Sequence, residues 1–151
     1  SPGQPNYAAA KAGIAALTVA TARGCARYGV RANAICPRAR TAMTAELMPP
    51  PPGGGPDPLD PEHVTPLVTY LASPAAMRIN GEVFVVHGGV AAVLNPPSIR
   101  AVFRADTPDG MWTLPAVRDA LDGAFADGGP DSPGFACTET MALATETIGF
   151  D

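Results

Sequence analysis

The sequence predicts an α/β fold, because a helix, a strand, a second helix and a second strand follow one another along its first 90 residues. The second strand candidate is apolar and rich in β-branched residues, the first is a short run that ends at a proline, and both helix candidates are bounded by residues that begin or end helices. With 151 residues, of which 46% are hydrophobic and 16% charged, the chain can bury a core.

The first predicted helix covers residues 7–27, an alanine-rich stretch with few polar side chains. Asn6 stands where it can cap the start of this helix, and Gly29 stands where it can end it. Because polar residues are sparse all around the helix, we expect much of its circumference to be buried.

A short strand is predicted over residues 30–36 and ends at Pro37, and residues 42–48 predict a short helix. The segment 49–60 includes a run of four prolines followed by three glycines. This composition is typical of a flexible loop that forms no core of its own.

The second predicted helix covers residues 61–71, with Asp60 as its cap. The second strand, residues 82–86, follows Asn80-Gly81 and precedes Gly88-Gly89. Since its residues are apolar on both faces, we expect it in a parallel sheet that is covered on both sides.

The chain divides by composition into residues 1–90, which hold these elements, and an extension over residues 91–151. Within the extension, residues 114–125 predict a helix. The stretch from Gly128 onward is rich in Gly, Pro, Ser and Thr, a composition compatible with disorder, and it points to no role.

The charge and hydropathy of the chain argue against two classes of partner. The net charge is −4 and there is no basic run, so we expect no nucleic-acid binding. No apolar stretch is long enough to span a bilayer, so we expect no membrane insertion.

Three cysteines, Cys25, Cys36 and Cys137, are widely spaced and form no Cys-x-x-Cys pair. This usage indicates free thiols in a reducing cytoplasm. The two histidines, His63 and His87, form no ligand cluster with them, so the sequence predicts no metal site.

Tyr7 and Lys11 are four residues apart at the start of the first predicted helix, which places both side chains on one face. Tyrosine has an ordinary pKa near ~10 and seldom exchanges protons at neutral pH, but a nearby ammonium group favours the phenolate. The pair can therefore transfer a proton to or from a carbonyl or alcohol oxygen. In isolation, the same spacing far more often marks an exposed surface pair.

Three blocks of sequence resemble the short-chain dehydrogenase/reductase family. They are Gly-Gln-Pro-Asn-Tyr-Ala-Ala-Ala-Lys-Ala-Gly-Ile (residues 3–14), Tyr-Gly-Val-Arg-Ala-Asn-Ala-Ile-Cys-Pro (28–37) and Gly-Glu-Val-Phe-Val-Val-His-Gly-Gly (81–89). In order and spacing they are similar to the family's active-site helix and its sixth and seventh strands. Residues 37–44 and parts of the tail further resemble (3R)-hydroxyacyl-CoA dehydrogenase and hydroxysteroid dehydrogenase members.

The resemblance implies the C-terminal part of a Rossmann-type doubly wound parallel sheet, with the strands equivalent to the sixth and seventh. It implies Tyr7 as the general acid/base and Lys11 as its partner, which also binds the cofactor ribose. Pro37 and Thr41 are implied as further cofactor contacts, Thr41 to the nicotinamide carboxamide. A helix N-cap at Thr41 explains that residue equally well. Residues 49–60 would form the substrate loop.

Other residues have simpler interpretations. Arg38 and Arg40 fit solvent-exposed arginines better than contacts to thioester phosphates. Met43 fits either a substrate lid or a plain amphipathic stripe. His87 is interpreted as structural, and Cys36 as an inert core thiol rather than a nucleophile.

Two features of the family have no counterpart among these 151 residues. They are the Gly-x-x-x-Gly-x-Gly turn that receives the dinucleotide phosphates, and a serine about a dozen residues before the tyrosine. We therefore expect the N-terminal, dinucleotide-binding half to be absent from the chain, which begins at Ser1. We also expect that these residues alone do not bind NAD or NADP.

The function implied by the resemblance is an NAD(P)-dependent oxidoreductase that interconverts a secondary alcohol and a ketone. The expected substrate is a 3-hydroxyacyl thioester or a hydroxysteroid, and the expected assembly, when complete, is a homo-oligomer. The alternative is a catalytically incomplete fragment or pseudo-enzyme that serves, if at all, as an interaction or dimerisation module. A third possibility between them is an enzyme split over two chains.

Overall fold

The computed structural model of the chain describes residues 3–46, 48–50, 55–97, 99, 101–108 and 110–125. The helices are α1 (Pro5–Cys25), α2 (Thr65–Ala72) and α3 (Leu114–Phe125), and the strands are β1 (Ala34–Pro37), β2 (Val83–His87) and β3 (Val90–Val93). Short 3₁₀ turns cover Ala26–Tyr28, Pro61–Val64 and Pro74–Ala76. Residues up to Leu94 form one compact unit, and residues from Asn95 begin a second.

Helix α1 begins two residues earlier than predicted, and the expected cap at Asn6 is wrong. Gln4 occupies the N-cap position without a side-chain cap bond, and Pro5 is the first helical residue. Proline suits this position because its fixed φ is helical and its missing N–H needs no partner, so Asn6 falls inside the first turn. Gly29 ends the helical segment as predicted, with a left-handed φ of 72°.

The expectation that much of α1 is buried is also wrong for this structure. Thr18 and Ala22 are its only buried residues. Ile14 and Leu17 are 48% and 65% exposed. A single sheet covers one face of the helix, so the remaining apolar side chains face outward.

The sheet has three strands in the order β1-β2-β3. β1 pairs with β2 in parallel, with Ala34 opposite Val83 and Pro37 opposite Val86, which confirms the predicted parallel pairing of these two strands. All five residues of β2 are buried, as their apolar run indicated.

The third strand, β3, was not predicted. It pairs antiparallel with β2, with His87 opposite Val90, so the sheet is mixed rather than wholly parallel. Gly88 and Gly89 form the two-residue turn between the strands, and Gly88 has a φ of +49°. A positive φ at the first central residue is what a tight type II′ hairpin turn requires.

Polar side chains join the segments that lead into β1 and β2. The guanidinium of Arg31 donates to the carbonyls of Leu71 and Ala76, each at 3.0 Å, and to two neighbouring carbonyls. Asn80 accepts from the Ala32 N–H at 2.9 Å, and Asn33 accepts from the Glu82 N–H at 3.0 Å. These bonds fix the amino ends of the two parallel strands and the C-terminal end of α2 together.

The helix predicted over residues 42–48 is a series of turns instead. The Thr41 carbonyl accepts from the N–H groups of Thr44 and Ala45, both at 2.9 Å, while the Thr44 hydroxyl accepts from the Thr41 N–H. A threonine side chain that bonds to nearby backbone competes with regular helix formation. Leu47 lies outside the described residues.

The second predicted helix is present as a 3₁₀ turn followed by α2. Asp60 caps it as predicted, because its Oδ1 accepts from the Glu62 N–H at 2.9 Å.

In the second compact unit, α3 has the predicted bounds, and the Thr113 carbonyl accepts from the Val117 N–H at 3.0 Å. The Gly- and Pro-rich stretch from Gly128 onward lies outside the described residues.

Candidate active site

The start of α1 lies toward the sheet edge at which β1 and β2 end. Near the C-terminal end of the helix, the Ala22 carbonyl accepts a hydrogen bond of 3.3 Å from the side chain of Asn80, which lies just before β2 in the sequence. Helix α1 also contacts β1. Since a helix joined to a packed strand by a short connection runs back along it, the N-terminal turns of α1 project to the carboxyl ends of the strands. Ligands of open α/β sheets bind outside that edge.

Tyr7 and Lys11 are brought together on these first turns. The Lys11 Nζ lies 5.3 Å from the centroid of the Tyr7 ring, within the range of a cation–π contact. Tyr7 is 56% exposed, so its hydroxyl is open to a ligand. Lys11 is the single lysine of the sequence and is also exposed. The pair thus combines a proton donor and acceptor with a fixed positive charge.

Pro37 and Thr41 lie beyond the end of β1. Pro37 is the last residue of the strand and is exposed, and the following residue, Arg38, donates its N–H to the Val86 carbonyl at 2.9 Å. Thr41 is exposed, and its hydroxyl lies 3.4 Å from the hydroxyl of Thr44. The Thr41 hydroxyl is therefore presented to solvent, with its backbone held by the turn.

The four predicted site residues lie in two separate groups, one of Tyr7 and Lys11 and the other of Pro37 and Thr41. Within the described part of the chain, no hydrogen bond or ion pair links Tyr7 or Lys11 to Pro37 or Thr41. Both groups belong to segments at the carboxyl side of the sheet, where open α/β sheets bind ligands.

Arg40 and Asp57 were not recognised from the sequence as partners. Their side chains form an ion pair and are 16% and 24% exposed. The interpretation of Arg40 as a solvent-exposed arginine is therefore wrong. The two residues are 17 positions apart in the sequence, so no helical or strand periodicity connects them.

Among the other residues singled out, Met43 is 91% exposed and packs against little. His87 is buried at the end of β2, at 6% exposure. Cys36 is half-buried within β1. No group of three or more metal-ligating side chains is found in the described parts of the chain. The same residues contain no helix that is long and apolar enough to cross a bilayer.

A separate cleft lies at the outer edge of β1, under α2. Its volume is about 510 Å³, and it is lined by Gly29, Arg31, Asn33, Ile35, Val68, Leu71 and Ala72. It holds none of the predicted site residues. β1 is the first strand of the sheet, so this cleft borders a strand edge that no strand within the described ranges pairs with.

Comparison with known proteins identifies the family. Residues 1–51 match the family model described as short chain dehydrogenase. The chain is 48% identical over 142 residues to the hydroxyacyl-CoA dehydrogenase ChsB1 of Mycobacterium tuberculosis, covering 92% of this chain and 44% of that protein. The chain belongs to the short-chain dehydrogenase/reductase family. This confirms the resemblance seen in residues 3–14, 28–37 and 81–89.

Two further proteins are similar to the chain. The peroxisomal hydratase-dehydrogenase-epimerase of Saccharomyces cerevisiae is 36% identical over 87 residues, which are 58% of this chain and 9% of that protein. A crystal structure of a short chain dehydrogenase from Mycobacterium avium superposes with a TM-score of 0.66 at 33% identity, covering 87% of this chain and 40% of that one. The chain thus spans less than half the length of the relatives that it matches.

Proposed function

We propose that the protein containing these residues is an NAD(P)-dependent oxidoreductase that interconverts a secondary alcohol and a ketone. The observation that carries the proposal is the Tyr7–Lys11 pair, with its ammonium 5.3 Å from the ring centroid and its tyrosine open to solvent at the start of α1. Family membership supports the reaction type, because short-chain dehydrogenases generally use NAD(P).

In the proposed reaction, Tyr7 transfers the proton. Its hydroxyl donates to the carbonyl oxygen of a ketone as that oxygen gains charge, and in the reverse direction its phenolate accepts the proton of the alcohol. Lys11 stabilises the phenolate by its positive charge. The cofactor, when bound, supplies or accepts the hydride at the adjacent carbon.

The residues present fit the nicotinamide end of the cofactor. The Lys11 ammonium is exposed and can donate to a ribose hydroxyl, and the exposed hydroxyl of Thr41 can bond to the carboxamide. Pro37 would lie against the ring. The phosphate-binding glycine turn has no counterpart among the 151 residues, so these side chains would hold one end of the dinucleotide only.

The proposed substrate is a 3-hydroxyacyl thioester or a hydroxysteroid. Support comes from the likeness to a protein named as a hydroxyacyl-CoA dehydrogenase and to one named as a hydratase-dehydrogenase-epimerase. Widely spaced half-buried thiols at Cys25 and Cys36 support a reducing, cytoplasmic location. We further propose a homo-oligomer for the complete protein.

A second candidate function is favoured by the unpaired edge of β1 and its adjoining cleft. An open strand edge beside a cleft can pair with another chain, as expected of a catalytically incomplete member that acts as an interaction module. The reading frame upstream discriminates between the two. A frame that continues into a glycine-rich βαβ unit and a serine supports the oxidoreductase, whereas a stop codon directly upstream supports the module.

The test of the proposed function uses the complete product of that reading frame, hereafter the complete gene product. NADH or NADPH formation is followed with a 3-hydroxyacyl-CoA and with a hydroxysteroid as alternative substrates. We expect oxidation of at least one of them with NAD⁺ or NADP⁺. Absence of turnover with both substrates and both cofactors, in a folded protein, would contradict the proposal and leave the interaction module.

A further inference from the structure

Arg40 lies just after β1 and bonds to the end of the following turn, at Met48 and Pro49, and to Asp57 beyond it. Its Nε donates to the Met48 carbonyl at 2.6 Å and its Nη2 to the Pro49 carbonyl at 2.9 Å. Its Nη1 pairs with the Asp57 carboxylate, and its backbone N–H donates to the Leu59 carbonyl at 2.7 Å. The Arg40 side chain therefore links Met48 and Pro49 to Asp57, and its backbone N–H adds a bond to Leu59.

Asp57 is itself held by several bonds. Its Oδ1 accepts from the Leu59 N–H at 2.9 Å, and its carbonyl lies 3.0 Å from the His63 Nε2. The next residue, Pro58, packs on the β2–β3 turn, because a Cβ added to Gly88 would lie 3.1 Å from the Pro58 carbonyl oxygen. The anchor for Arg40 is thus fixed to the carboxyl end of the sheet.

Thr41 is the residue next to Arg40 and is the first residue of the segment between Arg40 and Met48. Its N–H and its carbonyl are both engaged by Thr44, at 2.9 Å each, while its hydroxyl remains exposed. The position of that hydroxyl relative to β1 therefore depends on where Arg40 holds the segment. A guanidinium holds its donors on three nitrogens in a rigid planar fork, whereas the three N–H donors of a lysine ammonium radiate from one nitrogen and do not reproduce that geometry.

We propose that Arg40, anchored by Asp57, is a positioning residue that sets the affinity for the nicotinamide cofactor through Thr41. This inference rests on the proposed function, in which Thr41 contacts the carboxamide. Each of the three guanidinium nitrogens of Arg40 donates to a protein acceptor, and in this role the side chain touches neither cofactor nor substrate. Its effect is expected on cofactor binding and not on the recognition of the alcohol substrate.

The test measures KM for the cofactor, KM for the alcohol and kcat in the complete gene product. Arg40→Lys removes the fork but keeps the charge, and Asp57→Asn keeps an oxygen for the Leu59 N–H but removes the ion pair. We expect each to raise the cofactor KM at least roughly tenfold, as displacement of a contact by about 1 Å can do, with a smaller change in the alcohol KM. Arg78→Lys, at an exposed position, is the matched control.

A Thr41→Ala background separates positioning from general destabilisation. If Arg40 acts through Thr41, Arg40→Lys changes the cofactor KM less than about twofold once Thr41 is alanine. Equal effects in both backgrounds, or an unchanged cofactor KM in an active protein, would overturn the inference alone. A folded wild-type protein without NAD(P)-dependent turnover would overturn the proposed function and the inference with it.

Discussion

Two tyrosines in the described part of the chain have a cation over the ring, and they occupy opposite ends of the first helical segment. Lys11 lies 5.3 Å from the Tyr7 ring centroid at the start of α1, and the Arg27 guanidinium lies 4.7 Å from that of Tyr28 just after the helix ends. Both rings are more than half exposed. We propose that the position of each ring decides its role, since of these two tyrosines only Tyr7 lies at the helix end that projects to the edge where α/β sheets bind ligands.

Substitution of Lys11 tests the cationic half of the pair. Lys11→Met keeps the length and apolar stem of the side chain but removes the ammonium. We expect NAD(P)H binding to the complete gene product to weaken by roughly tenfold, the equivalent of one charge-assisted hydrogen bond, and kcat to fall as well. The measurement is fluorescence titration of the cofactor together with turnover.

The control for Lys11→Met is Arg23→Met, which removes an exposed cation from the last turn of the same helix. We expect that variant to bind cofactor as the wild type does. Equal weakening in both variants would show that overall charge, rather than the place of Lys11, governs cofactor binding.

At the scale of single residues, the spacing of residues along the sequence predicted contacts and helix ends that involve near neighbours in the chain. The Tyr7–Lys11 contact follows from a four-residue helical repeat, and Asp60 and Gly29 were recognised as a cap and a stop. The Arg40–Asp57 ion pair was not predicted because it joins two loops whose relative placement is set by tertiary packing. Sequence periodicity carries no information on such a contact.

At the scale of the elements, the two glycines between β2 and β3 have different backbone requirements. Gly88 has a φ of +49°, and a Cβ there would approach the Pro58 carbonyl oxygen, whereas a Cβ on Gly89 would meet no atom within 4 Å. A hairpin was foreseeable from Gly-Gly followed by Val-Ala-Ala-Val, but the weak alternation of this short run did not indicate a strand.

The glycine pair gives a matched prediction. Gly88→Ala should lower the free energy of unfolding by about 1–2 kcal/mol, because an L side chain is strained at positive φ. Gly89→Ala should change it by less than about 0.5 kcal/mol. Urea unfolding of the two variants checks both values. A larger loss at Gly89 than at Gly88 would contradict the described turn.

The amino ends of β1 and β2 give a second prediction at this scale. Arg31 donates to four backbone carbonyls between Leu71 and Ile79. We expect Arg31→Ala to destabilise the protein by about 2–3 kcal/mol, because removal of a half-buried charged donor leaves several acceptors without it. The exposed Arg78→Ala is the control, with an expected change below about 0.5 kcal/mol in the same urea titration.

At the scale of the whole molecule, the order helix, strand, helix, strand was predictable because each element has its own periodicity and end residues. The extent to which these elements are buried was not predictable. The apolar circumference of α1 predicted a covered helix, yet the three-stranded sheet leaves Ile14 and Leu17 exposed. Likewise, β1 remains at the edge of the sheet and borders the cleft beneath α2.

This arrangement leads to a prediction for the 151 residues studied as an isolated chain. They contain no glycine-rich turn for the dinucleotide phosphates, and among the described residues no strand pairs with the outer edge of β1. We expect no NAD(H) binding in a fluorescence titration of this chain. Micromolar binding would show that the nicotinamide end alone suffices and that our expectation of incompleteness is wrong.

The central claim is that Tyr7 exchanges the proton in an NAD(P)-dependent oxidation. The most direct measurement compares kcat/KM of Tyr7→Phe and Tyr28→Phe in the complete gene product, with the cofactor dissociation constant measured alongside. We predict a loss of roughly 10²–10⁴-fold for Tyr7→Phe at nearly unchanged cofactor binding, and no loss for Tyr28→Phe. A Tyr7→Phe protein that is folded and turns over its substrate at the wild-type rate would contradict the account.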